Sequence, residues 1–240
     1  MQSVISIDSV PFDWGFGNRI LYFNNLVQIA AKDFSNRWNC LPWDGHEMFS
    51  GEMWTLEKIP TNTLPPCLGE VFFEWNTIPT RDIFKIKIKN DVAENTVAVH
   101  FRGTDFHEWN NKAILDGNYY IEAIESIKND IDNIILFTDD KTLPSFNSVK
   151  MYLEEEKIQY KLGENTSDRS KYSFDFNTMT ECDYIISSPS TFCICAGFIG
   201  KKKKIIHNKK WLDNRINAND KFWIDLYNGG NKDYNIWRMV

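Results

Sequence analysis

Residues 96–206 alternate short apolar runs with stretches of helical periodicity, and this alternation is the feature that most constrains the fold. The apolar runs, which predict buried strands, cover residues 96–102, 134–137, 158–162, 184–187 and 204–206. The stretches between them, in which apolar residues recur at helical spacing, predict helices over residues 119–127, 144–156, 175–182 and 190–198. Strands that alternate with helices form a parallel sheet covered on both faces. The sequence therefore predicts an α/β fold that binds ligands at the carboxyl ends of its strands.

The first part of the chain carries a weaker version of the same pattern. An apolar run at Val4–Ile7 predicts a strand, and the residues around Gly15 and Gly17 predict a loop. Apolar residues at helical spacing then predict a helix over residues 18–34. Farther along, residues 83–88 favour an extended segment.

Between these regions the chain has little periodicity. Residues 38–79 are rich in Trp, Pro and Phe, so we expect irregular structure there, with at most short helices and strands. A polar linker at residues 90–95 marks a boundary. We therefore predict an N-terminal half over residues 1–95 and a C-terminal half over residues 96–240. A helix near the C-terminus, around residues 222–227, is expected to pack back across the first half.

Composition and charge argue against several classes of protein. The net charge of −6 gives no sign of the basic face that nucleic-acid binding requires. No stretch approaches the ~18 apolar residues that span a bilayer, and the N-terminus lacks the pattern of a signal peptide. Five cysteines without a CxxC pair favour a reducing compartment, so we expect a cytoplasmic protein without a membrane span.

Several motifs of metal and nucleotide chemistry fail on their context. Asp130-Ile131-Asp132 has the form of a metal-binding DxD motif, but it precedes its apolar run. Asp139 and Asp140 do follow a strand, yet adjacent side chains project in different directions. The sequence contains no zinc-ligand spacing, P-loop or G-x-S-x-G turn. We therefore expect no metal site.

The strand predicted at residues 96–102 ends in the segment HFRGTD. His100 and Arg102 are two residues apart, so on a strand they point to the same face. The Arg102 guanidinium is a fork of donors suited to a pair of phosphate oxygens, and His100 supplies a further donor. Asp105 is expected to orient Arg102 or to cap the following turn. A purely structural Arg–Asp pair is the alternative interpretation.

Polar residues also follow the strand predicted at residues 184–187. Ser190 and Thr191 open the next helix, where hydroxyl and backbone N–H groups form an anion site. A plain helix N-cap explains them as well. Asp175, at the start of the preceding helix, is a candidate acceptor for a base or a ribose, or an acidic N-cap. The glycines at residues 15–18 allow a ligand to approach the backbone closely, although a simple turn fits them equally.

Three short motifs, in this order along the chain, resemble those of the GT-B fucosyltransferase superfamily. That group includes α1,6-, α1,2- and protein O-fucosyltransferases and bacterial nodulation fucosyltransferases. The motifs are GFGNR at 15–19, HFRGTD at 100–105, which fits the pattern H-x-R-x-[TG]-D, and FDFNTMTECDYIISSPSTF at 174–192. FTDD at 137–140 also resembles a strand-end element of the α1,6 branch. The chain departs from the family in its short length and in Gly103, which replaces a second basic residue frequent in that motif.

The resemblance implies two Rossmann-like halves that face a cleft, with a reduced N-terminal half. The C-terminal half would bind a GDP-sugar, GDP-fucose being favoured, without a metal or other cofactor, and a glycan would be the acceptor. Arg102 would hold the β-phosphate and stabilise the transition state. Glu108 is the first candidate for the general base, with His107 and Asp13 as others. The residues expected to bind the donor are Gly15, Phe16, Gly17, Asn18, His100, Arg102, Asp105, Asp139, Asp175, Ser188, Ser190, Thr191 and Phe192.

Three other functions stay open at this point. The chain could use another nucleotide sugar, such as GDP-rhamnose or a UDP-sugar. It could be a degenerate transferase that binds a nucleotide or glycan without turnover, or an unrelated α/β enzyme that binds phosphate. An aromatic cluster within residues 38–75 could stack on an acceptor sugar, and core packing explains the same residues equally well.

Overall fold

The computed structural model describes residues 4–7, 10, 14–55, 61–63, 80–164, 172–200, 202–217 and 237–239. The chain divides into two compact units, the first Met1–Ile88 with Arg215–Asn235 and the second Lys89–Asn214 with Ile236–Val240. Each unit has its own parallel sheet. That residues 1–95 serve the acceptor and residues 96–240 the donor stays a prediction. The helix predicted around residues 222–227 lies outside the described residues.

The first unit has a three-stranded parallel sheet with the order β2-β1-β3. Its elements are β1 (Val4–Ile7), α1 (Phe16–Asp33), β2 (Trp38–Cys40), α2 (Gly45–Met48), β3 (Thr61–Thr63) and α3 (Thr80–Ile83). All four residues of β1 are buried, because the central strand of a covered parallel sheet meets protein on both faces. The strand at the start of the chain and the long helix after it are therefore confirmed.

An aromatic cluster forms the core beside α1. The ring of Phe23 lies 5.2 Å from that of Trp38, 5.3 Å from that of Trp43 and 6.0 Å from that of Phe84. These rings explain why a region without periodicity still folds, since aromatic contacts supply burial without a regular pattern. The extended segment predicted at residues 83–88 is largely wrong, because α3 occupies its start and only one isolated bridge, between Phe49 and Ile86, follows.

The second unit has a six-stranded sheet with the order β6-β5-β4-β7-β8-β9, and all its strand pairs are parallel. Its strands are β4 (Thr96–Phe101), β5 (Asn133–Thr138), β6 (Tyr160–Leu162), β7 (Tyr184–Ile186), β8 (Lys204–His207) and β9 (Trp237–Met239). Its helices are α4 (Phe106–Trp109), a 3₁₀ turn (Asn111–Ala113), α5 (Gly117–Glu125), α6 (Pro144–Glu155), α7 (Tyr172–Glu181), α8 (Thr191–Ile199) and α9 (Lys209–Asn217). The predicted α/β fold with a parallel sheet is confirmed.

The strand order places a crevice at the carboxyl end of this sheet. From β4 the chain moves outward through β5 to β6 and then returns to the other side of β4 as β7. This is the order of a Rossmann-like sheet, and ligands in such sheets bind outside the carboxyl ends of the strands where the order reverses. That point lies between β4 and β7.

The start of β4 is fixed by polar contacts at the other end of the sheet, where the strands begin. Asn95 adopts a left-handed conformation with φ of 55°. Its backbone N–H donates to Asp183 Oδ2 at 2.6 Å, its amide donates to Asp132 Oδ2 at 2.8 Å, and its Oδ1 accepts from Lys203 Nζ at 2.8 Å. These bonds hold the end of the predicted linker against the sheet and so set the register of β4.

Candidate functional site

The two polar segments predicted from the sequence meet where the strand order reverses. His100 is the last but one residue of β4, and Ser188 lies two residues beyond β7. The two strands are neighbours, with Val99 opposite Ile186. His100 Nδ1 lies 2.7 Å from Ser188 Oγ, and both residues are buried. A hydrogen bond between two side chains 88 positions apart in the chain thus joins the ends of β4 and β7.

Burial also sets the charge of His100. Because its ring is removed from water, the pKa falls from the ordinary 6.5 to about 4, against the opposing effect of Asp139. The imidazole is therefore neutral at pH 7 and carries one ring proton. When the Ser188 hydroxyl donates to Nδ1, that proton resides on Nε2, for which the described part of the chain supplies no hydrogen-bond partner. Nε2 is then a donor for a ligand.

Arg102 lies just beyond the strand that was predicted to include it, because β4 ends at Phe101. Its guanidinium turns to the end of β5, where Nη1 donates to Asp139, while His100 bonds to the residues after β7. The two side chains thus bond to the ends of the strands on either side of β4, although they remain close enough for Arg102 to lower the pKa of His100. That they share a face of the sheet stays a prediction.

The Arg102 fork is occupied on both prongs. Nη2 lies 2.6 Å from Asp105 Oδ1, and Nη1 pairs with Asp139. The guanidinium carbon also lies 5.6 Å from the centre of the Phe106 ring, a cation–π distance. The expected role of Asp105 as a partner of Arg102 is confirmed, whereas its side chain makes no capping bond to α4.

Asp139 anchors the whole loop that follows β4. Besides Arg102, its carboxylate accepts the backbone N–H of Gly103 at 2.8 Å and the hydroxyl of Thr104 at 2.8 Å. Next to it, Asp140 accepts from the backbone N–H and the hydroxyl of Thr142, and these bonds lower its pKa. The adjacent aspartates therefore point to different partners, as their spacing predicted.

Gly103 is required by packing. A Cβ atom at this position would lie 2.8 Å from Asp140 Cβ and 2.9 Å from Leu143 Cδ1, closer than carbon atoms approach. A second basic side chain after Arg102, as in the H-x-R-R version of the motif, has no room here. The departure from the family pattern is thus built into the contact between this loop and the end of β5.

The segment after β7 forms the N-terminus of α8. Ser190 is the N-cap, and its Oγ accepts the backbone N–H of Phe192 at 3.3 Å, so the capping interpretation is confirmed. Thr191 is the first residue of the helix and is half-buried. The Phe192 ring lies 5.2 Å from that of Phe176 and 6.0 Å from that of His100. The positive end of the α8 dipole is therefore next to the His100–Ser188 pair.

Sequence reasoning missed Tyr119, which entered it only as the first residue of the helix predicted over residues 119–127. Its buried hydroxyl lies 3.0 Å from the carbonyl oxygens of Ser187 and Ile206, at the ends of β7 and β8. Burial raises the pKa of this phenol, so it stays protonated and can donate. The signal that could have identified it is a tyrosine at a position otherwise filled by hydrocarbon side chains.

Asp175 lies inside α7, which begins at Tyr172, three residues before the predicted start. The acidic N-cap is therefore wrong for it. Its Oδ1 accepts the backbone N–H of Glu164 at 2.8 Å. A contact with a base or a ribose stays a prediction.

Two of the three candidates for a general base, His107 and Glu108, lie on the short helix α4. Glu108 and His107 are exposed, and His107 Nε2 lies 3.9 Å from Asp140 Oδ2. Asp13 lies outside the described residues. The role of Glu108 stays a prediction.

In the first unit, the predicted glycine loop is shorter than expected, because α1 already begins at Phe16. Gly15 precedes the helix, and Phe16, Gly17 and Asn18 form its first turn. The Phe16 ring is buried, and its centre lies 6.3 Å from the centre of the Trp43 ring and 6.2 Å from the centre of the Phe49 ring.

The last residue of this motif has a structural partner. Arg19 is buried and forms an ion pair with Asp44. Its guanidinium carbon also lies 5.4 Å from the centre of the Phe16 ring. The GFGNR motif therefore contributes a core contact and a buried ion pair to the first unit, and its contact with a donor stays a prediction.

No family model matches the sequence, and no curated protein matches it at a significant level.

Over the described ranges, the side chains of His, Cys, Asp and Glu form no group of three or more able to hold a metal ion. None of the helices within those same ranges combines the length and apolar character needed to cross a bilayer.

Proposed function

We propose that this chain is an inverting, metal-independent glycosyltransferase that transfers fucose from GDP-fucose to a hydroxyl of a glycan. The proposal includes a GT-B arrangement in which the second unit binds the donor and a reduced first unit serves the acceptor. It rests on the motif resemblance together with the placement of two of the three motifs in the second unit.

One observation carries the proposal. The hydrogen bond between His100 and Ser188 joins two of the three motifs at the point of the sheet where nucleotide ligands bind in Rossmann-like folds. The two motifs thus lie side by side at the place where a nucleotide site requires them. The α8 N-terminus beside this pair adds backbone N–H donors suited to a phosphate.

In the proposed reaction, the acceptor hydroxyl attacks the anomeric carbon of the donor sugar. The bond from that carbon to the β-phosphate oxygen breaks, GDP leaves, and the hydroxyl proton passes to a base, for which Glu108 is the candidate. Negative charge develops on the β-phosphate, so donors fixed in place before the reaction lower the barrier. His100 Nε2, the start of α8 and Arg102 are the donors assigned to that task.

A non-catalytic module that binds a nucleotide or a glycan is the second candidate function. Arg102 favours it, because both its prongs are held by carboxylates and its charge is neutralised. Binding of GDP-fucose without release of GDP, in the presence of a range of glycan acceptors, would support the module over the enzyme.

The test is calorimetric titration and thermal shift with GDP, GDP-fucose, GDP-mannose, UDP and UDP-galactose, all with EDTA. We expect binding of the guanosine ligands by the wild-type protein and about tenfold weaker binding by Ser188→Ala, which frees His100 Nδ1. Ser148→Ala, an exposed serine of α6, is the control and should bind as the wild type does. Preference for uridine ligands would replace the donor, and the lack of any binding would refute the proposal.

A further inference from the structure

Arg102 presents a contradiction if it is to hold a phosphate. A guanidinium binds two phosphate oxygens through a free edge, yet both terminal nitrogens of Arg102 already contact carboxylates. A phosphate that binds both terminal nitrogens therefore competes with these carboxylates. Which carboxylate leaves is decided by how firmly each is held.

The two aspartates differ sharply in their contacts. Asp139 accepts three hydrogen bonds, from Arg102, from the backbone of Gly103 and from Thr104, and its side chain is 25% exposed. Asp105 has its short contact with Arg102 and one long contact, 3.4 Å, with the Thr104 hydroxyl, and its side chain is 62% exposed. Water can solvate Asp105 as soon as it moves away, whereas release of Asp139 would also leave a backbone N–H and a hydroxyl without acceptors.

We propose that Asp105 is an exchangeable counter-ion of Arg102, which occupies the position of a donor phosphate and is displaced when the nucleotide binds. Asp139 is the fixed positioning residue that keeps the guanidinium at the end of β5. The proposal rests on the proposed function in taking a diphosphate as the ligand. It assigns to Asp105 a competing role, distinct from the orienting role that its place in the motif predicted.

The competition has a defined size. An ion pair between exposed or half-exposed side chains contributes only ~0–1 kcal/mol, so a diphosphate can replace it. Removing the Asp105 charge should therefore tighten binding of a diphosphate by roughly two- to fivefold, the factor that corresponds to losing a competitor in the upper part of that range. A residue with a merely structural role would not tighten binding when it is removed.

The experiment is calorimetric titration of GDP and inorganic pyrophosphate into the wild type, Asp105→Asn, Asp139→Asn and Asp130→Asn. Asp130 is an exposed aspartate of the same unit, and its substitution changes the net charge by the same amount. We expect both ligands to bind Asp105→Asn more tightly and Asp139→Asn more weakly than the wild type. Asp130→Asn should match the wild type, and all variants should keep near-normal thermal stability except Asp139→Asn.

The outcomes separate this proposal from the proposed function. If the wild type binds GDP and Asp105→Asn binds it equally or less tightly, the exchange is refuted and the proposed function stands. A gain for GDP without a gain for pyrophosphate also refutes it, because the competition must act on the phosphates. Binding by Asp105→Asn alone supports the exchange in its strongest form. Failure of every protein to bind either ligand refutes both proposals.

Discussion

The buried His100 makes the stability of the second unit depend on acid in a predictable way. Its pKa is about 4 in the folded protein and 6.5 when the ring is exposed. Below pH 6.5 the unfolded chain takes up a proton that the folded chain does not, so stability falls as the pH falls and the loss is complete below the folded pKa. The difference corresponds to about 3 kcal/mol of lost stability between pH 7 and pH 4.

The variant His100→Asn isolates this contribution. Asparagine keeps a polar partner for Ser188 but does not titrate, so the variant lacks the acid-dependent loss due to residue 100. His207, whose pKa burial lowers to about 3, and the carboxylates contribute equally to both proteins. Near neutral pH we expect the variant to be less stable by ~1–3 kcal/mol, and toward pH 4 the difference should shift by about 3 kcal/mol in favour of the variant, so that it vanishes or reverses.

The assay is chemical denaturation across this pH range, with His107→Asn, at an exposed histidine, as the control. NMR titration of the ring protons supplies a direct reading, because the His100 signal should move only below about pH 5. A wild type and a His100→Asn variant that lose stability in parallel would refute the reasoning. So would a His100 signal that titrates near 6.5, since both results mean that the ring is solvated.

Substitutions at three further positions test the packing of the second unit. Gly103→Ala should cost ~1–3 kcal/mol, because its Cβ would overlap Asp140 and Leu143, and a denaturation midpoint equal to that of the wild type would contradict this. Lys202→Met should cost ~2–4 kcal/mol in the same assay, since Nζ donates to three carbonyls at the end of α7, those of Met179, Thr180 and Cys182. Asn95→Ala should cost ~2 kcal/mol through its left-handed backbone and its lost hydrogen bonds, and Asn95→Gly should cost less if the backbone dominates.

The fold of the second unit was predictable because the strands at the centre of its sheet are buried on both faces. All six residues of β4 are buried, and such a strand appears in the sequence as an unbroken apolar run between polar ends. The first unit was harder, because its core rests on rings such as Phe23, Trp38 and Trp43, which contact one another without periodic spacing. Pattern reasoning registers periodicity and not ring contacts, so it left that region irregular.

The sequence predicted which residues lie at the candidate site but not all of the side-chain contacts between them. The end of each strand was evident from the sequence, and parallel strands bring such ends together, so the proximity of His100 and Ser188 followed in principle. That Asp139 would hold Arg102 beside Asp105 did not follow, because strand order is a tertiary property. Asp139 is the partner only because β5 lies beside β4, on the side opposite to β7.

The charges at the carboxyl end of the second unit's sheet lead to one more prediction. Arg102 is the cation among the loop contacts described above, against the carboxylates of Asp105, Asp139 and Asp140, and His100 is neutral. A diphosphate would therefore be held by oriented donors at the α8 N-terminus and on His100 more than by net positive charge. Binding of that kind should depend only weakly on salt.

The Asp105 exchange adds a second effect of salt, of opposite sign. Salt screens the attraction between Arg102 and a diphosphate, but it equally screens the exposed contact between Arg102 and Asp105 that opposes binding. In the wild type the two effects offset each other. In Asp105→Asn only the first remains, so we expect GDP affinity to fall more steeply with salt in the variant than in the wild type. Titrations of both proteins at low and high salt measure the two slopes, and equal slopes would mean that Asp105 does not compete with the phosphate.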